Sequence, residues 1–544
     1  MKPMAFRWLR SRTLSFAALG AAVLTLSGAS LQGETRSSIH PYLQIEQVLS
    51  ADFNGGDVLT YTGVGGGVEA NVQNRRVSAS VSYNYQRRIS WNERLDDDDV
   101  HSGLAAVQVQ AIPGTLTVDA GAMATRSHAD IRIPTPGLRT SNDPGVAEIY
   151  SAYAGPSLST HAGPMAVNAS YRLGYVYVDD HSLAGGRLPP GTPRPQNYSG
   201  STVQNATVSV GMEPGELPVG WTVGAGWSRE DMDELDGEFD GRYVRADIVY
   251  PVSPTLALTA GVGYEDMEAS QADIVRTPGG IPVVTAGGDL VVDPSRPRLV
   301  TYDQSGVMWD AGLIWRPGPR TELQARVGRR YGGTTFTGSL EHRINRSYAL
   351  SASVYDNVSS FGRLLVQDLA GVPRNFRMPD RGGIGPGGCI FGTNPGTGAC
   401  FDDALQSIDN FNFRNRGANV LLSGGRGPYE YGVGAGYSNR RYYAPPGPDF
   451  ALSGVTDHSF TLSGNVGRRL TRTSGVNLDA YAAWYDSGIA GSQGSFGGGV
   501  MGNYYRSLMG DRLQANLSAG VYTVQSGPFD STVGSIVFGL TYGF

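Results

Sequence analysis

The residues best suited to chemistry gather in one segment, 359–414, whose centre reads RLLVQDLAGVPRNFRMPDRGGIGPGGCIFGTNPGTGACFDDALQ. It holds both cysteines of the chain, Cys389 and Cys400. Two thiols are too few for a zinc site, which wants four ligands. In an oxidising compartment they form a disulfide, closing a loop worth roughly 3 kcal/mol by chain entropy. Around them stand Arg374, Arg377, Asp380, Arg381, Asp402 and Asp403. Charges of both signs on a long loop suit either a constriction folded into a pore or a cap outside it. Hydrolytic chemistry finds no support: there is no GxSxG element, and none of the seven histidines sits in a recognisable Ser–His–Asp order. The acidic runs DDDD (96–99) and DMDELDGEFD (231–240) lack the spacing of a calcium loop and read as solvated tips. No enzyme, metal or cofactor is expected.

A second set of charges alternates with apolar residues. Arg76, Arg172, Glu322, Arg326 and Asp479 each fall on the polar side of a period-2 pattern. In MAVNASYRLGYVYV (165–178), Met165, Val167, Ala169, Tyr171, Leu173, Tyr175 and Tyr177 share one face, and Asn168, Ser170 and Arg172 share the other. The elements positioning these charges are therefore strands with one apolar and one polar face. About 22 such segments recur (roughly 20–24), at the spacing of a transmembrane barrel. Links such as QNRR (73–76), IPGT (112–115), RPGPR (316–320) and MGDR (509–512) are short and rich in turn residues. The alternate links are mostly long and polar, with YGGT (331–334) the short exception. Sorting of link length by parity is what a barrel with short periplasmic turns and long outer loops produces.

The ends agree. Residues 1–30 carry Lys2, Arg7, Arg10 and Arg12 before an apolar run and small residues, the pattern of a secretory signal peptide. Losing those four cations makes the formal net charge of -6 more negative still, which argues against nucleic acid as partner. The chain closes on SIVFGLTYGF, where Phe538, Leu540, Tyr542 and Phe544 share one face. An alternating last strand ending in an aromatic resembles the assembly signal of Gram-negative outer-membrane proteins. The fold expected is all-β: a single large transmembrane antiparallel barrel over 31–544, with a long extracellular loop at 359–414 and no plug domain. Its partners would be outer-membrane lipid and the barrel assembly machinery. Tyrosine is abundant, 28 residues, as aromatic girdles require; Tyr83, Tyr85, Tyr175, Tyr177, Trp315, Trp484, Tyr504 and Tyr542 are the candidates.

One block is more specific. GLIWRPGPRTELQARVGRRYGGTTFTGSLEHRINRSYALSASV (312–354), with Arg320, Arg329 and Arg330 as its marking positions, resembles a family of outer-membrane barrels associated with exopolysaccharide production and the PEP-type C-terminal anchor sorting system. The resemblance implies export or surface organisation of a polysaccharide, with polysaccharide export or synthesis proteins as partners. The residues alone imply a channel or guide for a polar solute. A general diffusion porin and a non-conducting structural or adhesive barrel stand as alternatives.

Overall fold

A computed structural model describes residues 36–544 except 57, 92–96, 129–145, 180–197, 216, 286–289, 377, 379–387, 407, 446–452, 489–492, 511 and 527–528. The leader 1–30 lies outside the described residues, as do Arg377, Asp380 and Arg381.

The first fifteen strands are β1 Arg36–Asp52, β2 Val58–Gln73, β3 Val77–Ser90, β4 Asp98–Ile112, β5 Leu116–His128, β6 Val146–Ala162, β7 Met165–Asp179, β8 Gly200–Met212, β9 Gly220–Met232, β10 Glu238–Ser253, β11 Leu256–Gln271, β12 Leu299–Gly318, β13 Thr321–Arg330, β14 Gly333–Arg343 and β15 Tyr348–Ser359. After an insertion, seven more follow: β18 Asn412–Arg426, β19 Tyr429–Tyr443, β20 Thr456–Arg469, β21 Ser474–Asp486, β22 Ser495–Leu508, β23 Leu513–Ser526 and β24 Phe529–Gly543. The insertion itself contains helix α1 (Phe361–Ala370), a two-stranded hairpin of β16 (Cys389–Phe391) and β17 (Gly398–Cys400), and a short helix α2 (Asp402–Leu405).

Twenty-two strands form one antiparallel sheet. It closes because β24 pairs with β1, from Tyr42↔Gly543 to Asp52↔Val533, and the N–H of Phe544 donates to Pro41 O at 3.1 Å. Closure leaves no open edge, the condition lipid imposes on a sheet. The period-2 pattern sets the faces: Leu43, Ile45, Leu49, Ile536 and Phe538 are exposed outward, while Glu46, Val48, Ser50, Ser535 and Val537 are buried on the inner side. Of the girdle candidates, all but Tyr83 are among the exposed large side chains.

Link length sorts by parity as expected. At one end the strands turn tightly, as at 163–164, 254–255 and 319–320; at the other lie the links 129–145, 272–298 and 360–411. Two outer links are short: β23 and β24 are two residues apart, and β13–β14 is a two-residue turn with Tyr331 at φ 53 and Gly332 at φ 70. Two positive φ values match the right-handed twist of a hairpin.

The expectation of no plug domain is corrected. The described residues of 360–411 enter the barrel instead of standing above it, and the largest buried apolar cluster of the described residues is where they meet the inner wall. Phe361, Leu364, Leu365, Val366 and Leu369 of α1 pack with Leu104, Met123, Ile149, Val176 and Val203 of β4–β8. These wall residues are apolar on the side that barrel logic makes polar, because they face protein and not water.

Candidate functional site

Helix α1 is written locally. Ser360 caps it by accepting from the N–H of Arg363 at 3.2 Å, Gly371 ends it, and apolar residues at 361, 364, 365 and 369 form one face. Two glycines admit it: a Cβ on Gly174 would lie 2.6 Å from Val366, and one on Gly362 would meet Tyr198, Ser201 and Glu230. Burying five such side chains contributes roughly 1.5–3 kcal/mol each.

The loop end of α1 is held by a buried pair. Arg363 Nε lies 3.1 Å from Glu230 Oε2, with side-chain exposures of 7% and 0%. The guanidinium also donates to Asn412 and stacks 3.5 Å over the ring of Phe239. Burial, only partly offset by Glu230, holds the Arg363 pKa below its ordinary value.

Below α1 the insertion reaches the turn end of the barrel. Arg374 Nη2 contacts Asp119 Oδ1 at 2.8 Å; Asp119 stands in the first turn-side residues of β5. There Asn375 and Phe376 meet the hairpin. Phe376 bridges Gly392, and the N–H of Thr393 donates to Asn375 O at 2.9 Å. The hairpin packs on the opposite wall. Cys389 and Cys400 are register partners, joined as a disulfide, and lie against Gly434, where a Cβ would sit 3.3 Å from Cys400 Sγ. Near the tip, Gly396 (φ +79) donates its N–H to Ser423 Oγ at 2.9 Å. The insertion thus contacts β5–β8 on one side of the ring and β15, β18 and β19 on the other.

Its return limb is anchored by charge. Asp403 accepts from Arg440 at 2.7 Å, from Asn415 at 2.8 Å and from the Tyr355 hydroxyl at 3.1 Å. Burial opposes its ionisation, but Arg440 and Asn415 win and hold the carboxyl below the usual range. Asp368 on α1 behaves oppositely: burial first, then the negative neighbours Asp403 and Asp402, push its pKa well above the ordinary value. A cleft of about 180 Å³ lies between them, lined by Asp368, Asp403, Asn419 and Thr461 among others.

The other sequence candidates scatter. Arg326 is on the inner wall, 2.8 Å from Asp247 and 3.1 Å from Asp310, and Arg245 reaches the same two carboxylates at 2.6 Å each. Gly261 and Gly312 leave room for these side chains between strands. Arg172 lies 5.3 Å from the ring of Tyr153 on the wall of the insertion. Asp479 is half-buried on the inner face of β21. Asp402 is buried at the start of α2. Arg76 is exposed in the β2–β3 turn, and Glu322 pairs with Arg316 at 3.0 Å on the turn-end rim; neither joins the insertion. Asp119, Glu230, Arg363 and Arg440 were missed. A signal existed for the wall: Gly174, Val176 and Val178 make β7 apolar on both faces, which a water-facing lumen does not need.

No family model and no curated protein matches the chain. Solved structures do. The FrpB iron transporter of Neisseria meningitidis (F5-1 variant) is 13% identical, with 92% of this chain and 82% of that chain covered and a TM-score of 0.42. The ferric-catecholate import receptor Fiu of E. coli, in its closed form, is 11% identical over 92% and 82%, TM-score 0.43. The siderophore receptor PiuA of Acinetobacter baumannii is 8% identical over 92% and 82%, TM-score 0.43. Likeness at this level carries no argument about cargo. The resemblance read from 312–354 is withdrawn: no family model or curated protein carries it, and the solved structures found are described as iron and siderophore proteins. The chain is a closed antiparallel barrel of 22 strands with an apolar outer face, the architecture of an outer-membrane barrel.

Proposed function

We propose that the protein is a passive, gated conduit for small polar solutes, closed at rest by residues 360–411. One observation carries this reading: the insertion contacts opposite walls of the ring and crosses between them at the turn end. Its two parts are unequally held. The apolar face of α1 is fixed in a buried cluster, whereas the crossing meets β5 through the Arg374–Asp119 pair, whose side chains are 21% and 16% exposed. The crossing is the gate and α1 its fixed post. Polar walls such as the Arg245–Asp247–Asp310–Arg326 cluster, balanced in charge, keep the remaining lumen wettable. A leader at 1–30 delivers the chain to the periplasm, and Phe538, Leu540, Tyr542 and Phe544 present it to the assembly machinery; Phe544→Ala should lower the yield of heat-modifiable barrel, and an unchanged yield removes that role. The exopolysaccharide reading falls with the resemblance that carried it.

Planar-bilayer recording of the full chain tests the gate. Small, intermittent openings are expected, turning into large steady conductance when residues 373–399 are replaced by a short Gly-Ser link. Steady conductance without the replacement would favour a general diffusion porin. Silence in both proteins would favour a structural or adhesive barrel.

A further inference from the structure

Away from the insertion, the inner faces of β1–β3 near their loop ends hold a group of buried donors. Arg88 is 4% exposed, Gln86 1% and Tyr61 3%. Arg88 Nε donates to Gln86 Oε1 at 3.0 Å, which leaves the amide nitrogen of Gln86 as that side chain's remaining polar atom. The guanidinium carbon lies 5.2 Å from the centre of the Tyr61 ring. Arg88 Nη1 and Nη2, Gln86 Nε2 and Tyr61 Oη have no hydrogen-bond partner among the described residues. Register explains why. Arg88 faces Asp98 across β3–β4, but that carboxylate is engaged by Arg126 at 2.6 Å. Across β2, Arg88 faces Gly63, which has no side chain to offer. Gly63 is constrained by the group itself, since a Cβ there would sit 2.5 Å from Gln86 Nε2 and 2.8 Å from Glu46 Cγ.

A guanidinium cannot relieve its burial by losing a proton, and buried donors without acceptors are costly. Three donor types converge here, one of them a planar fork suited to paired oxygens. We infer that Arg88, Gln86 and Tyr61 form an oxyanion subsite on the lumen wall at the extracellular mouth, taking a solute carboxylate. Glu46 belongs to the same buried group, its Cγ as close to the Gly63 position as the Gln86 amide and its Oε1 likewise buried; that negative charge limits the site to a monoanion and disfavours a multiply charged phosphate. The inference rests on the proposed conduit only in naming the lumen as the solute's path; equilibrium binding does not require the gate to open, so the two readings fail separately.

Acetate and inorganic phosphate are the probes, titrated against the detergent-solubilised full chain by saturation-transfer NMR. Saturable acetate binding is expected, weakened about 10–100-fold in Arg88→Gln by loss of charge-assisted hydrogen bonds. Tyr61→Phe should weaken it by a smaller factor without touching the charge. Arg87→Gln should leave it unchanged, because Arg87 is exposed and paired with Asp97 and Asp99. Heat-shifted electrophoretic migration confirms that each variant is folded. Absence of saturable binding, equal binding in Arg88→Gln or in Tyr61→Phe, or phosphate binding tighter than acetate would overturn the assignment.

Discussion

Truncating the latch between the crossing and β5 should open the barrel without unfolding it. Arg374 Nη2 and Asp119 Oδ1 lie 2.8 Å apart, and Arg374 Nη1 also donates to Val372 O at 3.0 Å. At 4 Å and an effective dielectric of 20, two unit charges attract by about 4 kcal/mol. Desolvation of groups that are 21% and 16% exposed takes back part of that, and hydrogen bonds to charged groups retain about 1.5–3 kcal/mol net. Arg374→Ala should therefore shift the closed–open equilibrium about 10–100-fold towards open. Asp119→Ala should do somewhat less harm to the wall, because Gln108 Nε2, which donates to Asp119 at 3.1 Å, can turn to solvent. The assay is open probability in planar bilayers, run as a double-mutant cycle. The expected coupling between positions 374 and 119 is about 1.5–3 kcal/mol, so the double variant opens little more than either single one. Full additivity, or single variants as closed as the parent, would refute a latch at this pair. The barrel's thermal transition should not move, since the ladder of strands is untouched.

Three further outcomes follow from the same geometry. Arg363→Ala leaves Glu230 buried and unpaired, at a cost of about 3–5 kcal/mol to the seated state; limited proteolysis should then cut within 361–370, and pairing the change with Glu230→Leu should restore protection. Closure should be greatest at mildly acidic pH. Asp403 ionises below the usual range, so its stabilisation is present above the unfolded pKa of about 4 and is lost as pH falls through the lower folded value. Asp368, raised well above its ordinary value, favours the seated state while protonated and weakens it as pH rises through that value; open probability should climb on the alkaline side in the parent and stay flat in Asp368→Asn. Reducing Cys389–Cys400 removes roughly 3 kcal/mol of loop constraint and should raise open probability while leaving the barrel's melting unchanged, whereas a Cys389→Ser, Cys400→Ser variant should be indifferent to reductant.

The resemblance drawn from 312–354 misled for a physical reason. Pro317, Gly318 and Pro319 sit at the β12–β13 turn, and Tyr331 with Gly332 forms the β13–β14 turn. Arg330 is used inside the fold, 2.8 Å from Glu265. The block encodes two hairpin corners and their bracing, which any large barrel needs whatever it carries.

Strand number, facing and parity were legible because a period-2 pattern is a local property. Each segment announces its outer side by its own alternation, and many of the tight turns by their own glycine and proline. The seam was legible in the same way, from Phe538, Tyr542 and Phe544 facing outward at the end of the chain. The direction taken by 360–411 was not. It depends on Arg374 meeting Asp119, 255 residues away, and on Arg363 meeting Glu230, 133 residues away. Charge on a loop is compatible with cap or constriction alike; which one forms is decided by whether an apolar patch waits on the inner wall. That patch is assembled by β4–β8 only once the ring has closed, and it drew α1 into the lumen because burying its apolar face there releases more free energy than leaving it in water.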